Sequence, residues 1–229
     1  MNSLIAVGGK SLLVLTLMFL PIAVTAGVSP ADPAVPAPAK NRYIGSKACK
    51  NCHSATSKGE QFQKWEASKH AKAFATLATE EAKKAAAERN IQDPQKSAEC
   101  LQCHVTAYKE DPANLKKGFQ PEAGVQCESC HGPGENHAKV RLAAAAESEQ
   151  EGYVKIPEDE IVASPPVKIC LECHNEKSPS FKPFCFKKRN SVILHQDPRK
   201  ARTAEELKSM KECGCGEACA CKQAECSKQ

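Results

Sequence analysis

Large apolar side chains are what this chain has least of. Of its 229 residues the first 26 have the shape of a removable leader, and in 27–229 only 33 are Val, Ile, Leu, Met, Phe, Tyr or Trp, about 16%. The 41% hydrophobic total is inflated by Ala and by 14 Cys, and aromatic residues reach 5% with a single Trp. A chain so short of core-forming side chains is either disordered or packs around something that is not protein. Long apolar runs are missing as well. Outside the leader no segment is long enough to span a bilayer, so the mature chain reads as not integral to a membrane. Histidine is held to seven, and Met210 is the one methionine in 27–229, which limits the side chains available to any metal.

What is there instead is cysteine in a fixed pattern. Eight of the 14 fall into four copies of Cys-x-x-Cys-His: Cys49, Cys52, His53; Cys100, Cys103, His104; Cys127, Cys130, His131; and Cys170, Cys173, His174. Two thiols separated by two residues reach the two vinyl groups of one haem, and the histidine that follows binds its iron from the same face. A redox Cys-x-x-Cys or a zinc ribbon has no use for a histidine after every second cysteine. The expectation is therefore four covalently attached haem c groups, whose porphyrin faces supply the apolar surface that the side chains do not.

The leader agrees with this chemistry. Lys10 precedes an apolar run from Leu12 to Leu20, then Pro21 and the small-residue ending Val24-Thr25-Ala26, which reads as a signal peptide cleaved after Ala26. Export to the periplasm is the expected destination. Residues 27–41 hold Pro30, Pro33, Pro36 and Pro38 among alanines and read as an extended linker. Residues 42–200 are expected to form the tetrahaem domain, and 201–229 a short helix with a Cys-rich tail. Between the first two motifs, Glu60–Asn90 is rich in Ala, Lys, Glu and Gln and reads as one or two helices, with Phe62, Trp65, Phe74 and Leu77 turned to haem faces. Further helices are expected from Glu135 to about Gln150 and from Thr203, where Thr203 and Glu206 have capping-box spacing. Gly118–Gly124 and Ala163–Lys168 read as connections, and strand signals are weak. The expected fold is mainly α, a multihaem cytochrome c with haems as its core and little or no sheet.

Four motif histidines leave His70, His137 and His195 as candidates for the far side of an iron. His70 falls on the expected first helix, His137 follows the Gly132-Pro133-Gly134 turn, and His195 closes the apolar stretch from Val192. Three such ligands serve three haems. The fourth either takes another residue, for which Met210 is the weak candidate, or stays five-coordinate, and the open site is favoured. An open iron binds NO, CO or a small nitrogen compound, whereas irons closed by two imidazoles suit electron transfer. Glu128, Glu172 and Lys109 lie near motifs and read as solvated surface charges.

The formal net charge of +5 falls to +4 without Lys10, and eight propionates would bring the holoprotein near −4. A nucleic-acid partner is thereby excluded. The basic clusters Lys187-Lys188-Arg189 and Arg199-Lys200-Arg202 read as solvated surface, or as groups that pair with propionates or steer an acidic redox partner.

The stretch from Tyr43 through Cys49 and His53 to Trp65-Glu-Ala-Ser-Lys-His70, the run from Cys100 to Tyr108, and Gly124-Val-Gln-Cys127 to His137 resemble the tetrahaem cytochrome c-554 family. The segment from Cys170 through Ser178 to Phe181 and then Ile193-Leu-His195 is similar too. The likeness covers about residues 42–196. It implies a mostly helical fold with closely packed haem pairs, three haems with two histidine ligands and one five-coordinate. By the resemblance the open haem is the second, at Cys100, Cys103 and His104. His137 would cross to the first haem, His70 to the third and His195 to the fourth. The implied role is electron transfer between redox proteins, with a hydroxylamine oxidoreductase-like donor as one partner. An enzyme or sensor acting on NO or hydroxylamine at the open haem is the alternative.

The tail departs from that family. Cys213, Cys215, Cys219, Cys221 and Cys226 crowd into 14 residues with no histidine, and pair as disulfides after export or bind a soft metal such as Cu(I) or Zn. Cys185, between two phenylalanines, reads as a small buried hydrophobe.

Overall fold

The computed structural model describes residues 40–147, 152–182, 189 and 192–209. The leader, nearly all of the linker, Cys185, Met210 and the cysteine tail lie outside the described residues. Nine α-helices occur among those described: α1 Ser46–His53, α2 Gln61–Glu66, α3 Ala73–Thr76, α4 Glu80–Ala87, α5 Ala98–His104, α6 Glu128–His131, α7 Glu135–Glu147, α8 Val167–Leu171 and α9 Ala204–Ser209. No strand accompanies them among the described residues. A lone parallel bridge joins Tyr43 to Leu115, with Tyr43 N donating to Asn114 O at 2.8 Å and Lys116 N to Tyr43 O at 2.8 Å. The fold class is mainly α, and no helix among the described residues is long and apolar enough to cross a membrane.

Local sequence explains several helix ends. Thr79 accepts from Ala82 N at 3.2 Å and starts the alanine-rich α4. At α9 the capping box forms in both directions, Glu206 N to Thr203 Oγ1 at 3.1 Å and Thr203 N to Glu206 Oε2 at 2.9 Å. The stretch Glu60–Asn90 differs from expectation, since it is cut into three short helices. Residues 67–72 leave the helix because the His70 carbonyl accepts from Ala73 N and from the distant Val125 N at 3.0 Å. His70 therefore stands on a turn rather than on a helix. The helix from Glu135 runs to Glu147, beyond which the residues are not described.

The core is thin. Among the described residues six apolar side chains are buried, Phe62, Trp65, Leu77, Ala86, Val105 and Phe119, with Phe74 only half-buried. Polar groups do much of the tying. Gln126, 2% exposed, receives Ser46 N on Oε1 at 2.7 Å and donates its own N–H to Thr106 Oγ1 at 2.6 Å. Glu128 takes three backbone N–H groups, from Ile44 at 2.9 Å, Gly45 at 2.8 Å and Gly134 at 2.8 Å. Glu128 is buried, so its reading as a solvated charge is corrected: two stretches of unpaired backbone N–H needed an acceptor, and the carboxylate fills that need. Glu172 and Lys109 are exposed, as expected. The knot locks α1 against α6. A second tie holds the start of this region to α7, where Glu135 receives Arg42 at 2.7 and 2.8 Å and Lys116 at 3.0 Å.

Candidate haem site

Each motif lies on or across a turn of helix. α1 contains Cys49, Cys52 and His53, and α5 contains Cys100, Cys103 and His104. Cys127 caps α6, which ends at His131, and Cys170 lies on α8 with Cys173 and His174 just after it. Positions i, i+3 and i+4 share one helix face, so the spacing Cys-x-x-Cys-His presents two thiols and an imidazole in one direction.

Thiols of different motifs come together. Cys49 stands beside Cys127 and Cys103 beside Cys173, and Cys130 lies near Cys170. The motifs thus form a series in the order first, third, fourth, second.

Imidazoles meet in pairs. Ring centroids lie 6.1 Å apart for His53 and His137, 6.1 Å for His70 and His174, and 5.7 Å for His131 and His195. Two imidazoles that each bind one iron through Nε2 at about 2 Å would hold their centroids roughly 6 Å apart. The pairing differs from the implied one at two places. His137 stands against the first motif, but His70 faces the fourth and His195 the third, an exchange of the two. Backbone contacts accompany it. Val125 N and Ala73 N hold the turn at His70, while Gly59 lies against the Gln196 carbonyl and Pro198, next to His195.

The Nδ1 atoms of four histidines are engaged. Nδ1 of His131 reaches Val162 O at 2.6 Å, of His195 Ile193 O at 2.9 Å and of His104 Ala73 O at 2.7 Å. His137 Nδ1 instead meets a carboxylate, Glu160 Oε1, at 2.6 Å. Such bonds fix the tautomer with Nε2 unprotonated and oriented, as an iron ligand requires. Burial pushes His53 down to about 4, with the nearby His137 adding to it, and lowers His70, His131 and His195, so the rings are held neutral. Gln61 stands beside His53. Arg141 holds the Glu160 carboxyl below the usual carboxylate range, with His137 as a further cause.

His104 is different, for no second imidazole is placed against its ring among the described residues. Nor do three metal-capable side chains converge anywhere among them, as a zinc site would need. Paired thiols on helix faces, paired neutral imidazoles and a thin apolar core together fit haem. Sequence reading missed Glu160 and the carbonyls of Ala73, Val162 and Ile193. Glu160 sits in the acidic run Glu158-Asp159-Glu160, where nothing separates it from a solvated charge.

Residues 48–132 match the family model described as cytochrome c554 and c-prime. Cytochrome c-554 of Nitrosomonas europaea is 36% identical over 98 residues, which is 41% of this chain and 40% of that protein. The chain therefore spans about two fifths of the length of the curated relative it matches. No solved structure matches.

Proposed function

We propose that this protein is a periplasmic tetrahaem c-type cytochrome that passes electrons between redox proteins, a reading supported by the match of residues 48–132 to the cytochrome c554 and c-prime family model. The observation that carries the reading is the meeting of each of three motif histidines with a histidine from elsewhere in the chain, while His104 has none among the described residues.

The four motifs would hold haem through Cys49 and Cys52, Cys100 and Cys103, Cys127 and Cys130, and Cys170 and Cys173. His53 with His137, His131 with His195 and His174 with His70 would close three irons, and His104 alone would hold the second. Haem iron between two imidazoles exchanges an electron with little change of ligation, and iron with one imidazole keeps a position for a small molecule. The residues of this chain orient and screen. Carbonyls of Val162, Ile193 and Ala73 fix ring nitrogens, the Gln126 and Glu128 knot keeps the first and third motifs adjacent, and the thiol contacts support an electron path through the first, third, fourth and second haems. The leader supports export, and a hydroxylamine oxidoreductase-like enzyme is a fitting electron donor.

A second reading rests on His104: the open second haem binds NO or hydroxylamine and acts as enzyme or sensor. Pyridine haemochrome analysis with electron paramagnetic resonance of the oxidised protein tests both the load and the ligation. Four covalent haems per chain, three low-spin and one high-spin, are expected. Three or fewer haems in fully matured protein, or no high-spin signal, would refute the assignment.

A further inference from the structure

We infer that Glu160 is a positioning residue that lowers the reduction potential of the first haem, through its hydrogen bond to the far-side ligand His137. The inference rests on the ligand assignment made above, and it concerns a residue that no motif contains.

The strap Pro157–Val162 crosses two of the proposed ligands. Its Glu160 N–H closes a turn on Pro157 O at 3.1 Å, Val162 N donates to His131 O at 3.1 Å, and Val162 O receives His131 Nδ1 at 2.6 Å. Two residues before Val162, the Glu160 side chain is 7% exposed and receives His137 Nδ1 at 2.6 Å. Arg141 Nε donates to the same oxygen at 2.7 Å, and the other Arg141 nitrogen pairs with Oε2. The strap thus treats its two imidazoles unequally. His131 gives its N–H to a neutral carbonyl, as His104 and His195 do, whereas His137 gives it to a carboxylate.

That difference has a chemical consequence. A carboxylate drawing on Nδ1–H leaves more negative charge on the ring, so Nε2 becomes a stronger donor and the ferric state is favoured over the ferrous. Burial keeps water from replacing the bond and strengthens its effect. Arg141 works against it, because the guanidinium occupies both carboxylate oxygens and brings a positive charge of its own. The first haem lies at one end of the series of motifs and the second, with its free position, at the other. Lowering the potential at the first end favours electron transfer away from it, toward the second.

Glu160→Gln keeps an acceptor for His137 and removes the charge, while Arg141→Met keeps the carboxylate and removes its competitor. Each full-length holoprotein would be titrated by spectroelectrochemistry with electron paramagnetic resonance at each potential. One midpoint should rise in Glu160→Gln and the same midpoint fall in Arg141→Met, with all three low-spin signals retained and one of them changed in its g values. A general loosening of the strap would move both variants the same way and would overturn the inference. His137→Ala identifies the haem concerned by adding one high-spin signal. Where it does so and Glu160→Gln shifts nothing, the role of Glu160 alone is refuted. Where it adds none, the ligand assignment fails and the inference falls with it.

Discussion

Gly124 shows how a residue without a side chain places an imidazole. It sits at φ +78°, and a Cβ there would stand 2.6 Å from His70 O and 3.2 Å from Ala73 N, both backbone atoms that cannot swing aside. Its own carbonyl receives Thr106 N at 3.1 Å, so the clash cannot be relieved by a small shift of this strand of chain. Gly124→Ala should therefore cost about 2–4 kcal/mol of stability, from positive φ and displaced backbone together. It should also add high-spin haem, because His70 is carried by the displaced turn. Denaturant unfolding followed by electron paramagnetic resonance would read both, and an unchanged midpoint with unchanged spin would show that the turn tolerates a methyl group. None of this is legible at the level of one letter. Gly124 looks like Gly118, which meets nothing within 4 Å, and Glu128 looks like Glu172 although one is buried and the other exposed. What separates them is the unpaired backbone that happens to lie nearby.

Elements were legible where their signal is local. Cys-x-x-Cys-His has the period of a helix, and the motifs do fall on or across helical turns; the Thr203 and Glu206 spacing likewise produces its capping box. The break at residues 67–72 was not legible, since the letters Ala67-Ser-Lys-His-Ala-Lys72 favour continuing the helix. A long-range bond, Val125 N to His70 O, overrides that preference. The helical reading of the motifs makes a prediction of its own. Inserting one alanine between Leu101 and Gln102 rotates Cys103 and His104 by about 100° relative to Cys100, which takes the second thiol and the imidazole off the shared face of α5. The intact mass should then fall by one haem while the other three motifs, each on its own helix, stay loaded. A chain that still carries four haems would mean that attachment does not depend on the helical face.

At the scale of the whole molecule, the sequence announced a missing core and named its substitute, but not the arrangement. With one haem at each of the four motifs, as proposed, seven histidines meet eight axial positions. The partner of each depends on the long-range course of the backbone, which at His195 includes the contact of Gly59 with Gln196, more than 130 residues apart. The same thinness of core decides what the chain should do without haem. Among the described residues its helices run from 4 to 13 residues, mostly below the roughly 12–15 at which an isolated helix becomes marginal in water. Six buried apolar side chains among the described residues cannot hold them together against the conformational entropy of the chain. With haem attached as proposed, each motif helix would be fixed at two thioethers and an iron bond, and the apolar porphyrin faces would supply the surface that side chains leave out. Chain carrying Ala at all eight motif cysteines should therefore show no cooperative thermal transition by circular dichroism, whereas holoprotein melts in one sigmoidal step. A sharp transition in the haem-free chain, within a few degrees of the holoprotein, would show that the polypeptide supplies a sufficient core of its own and that the haems are guests in it.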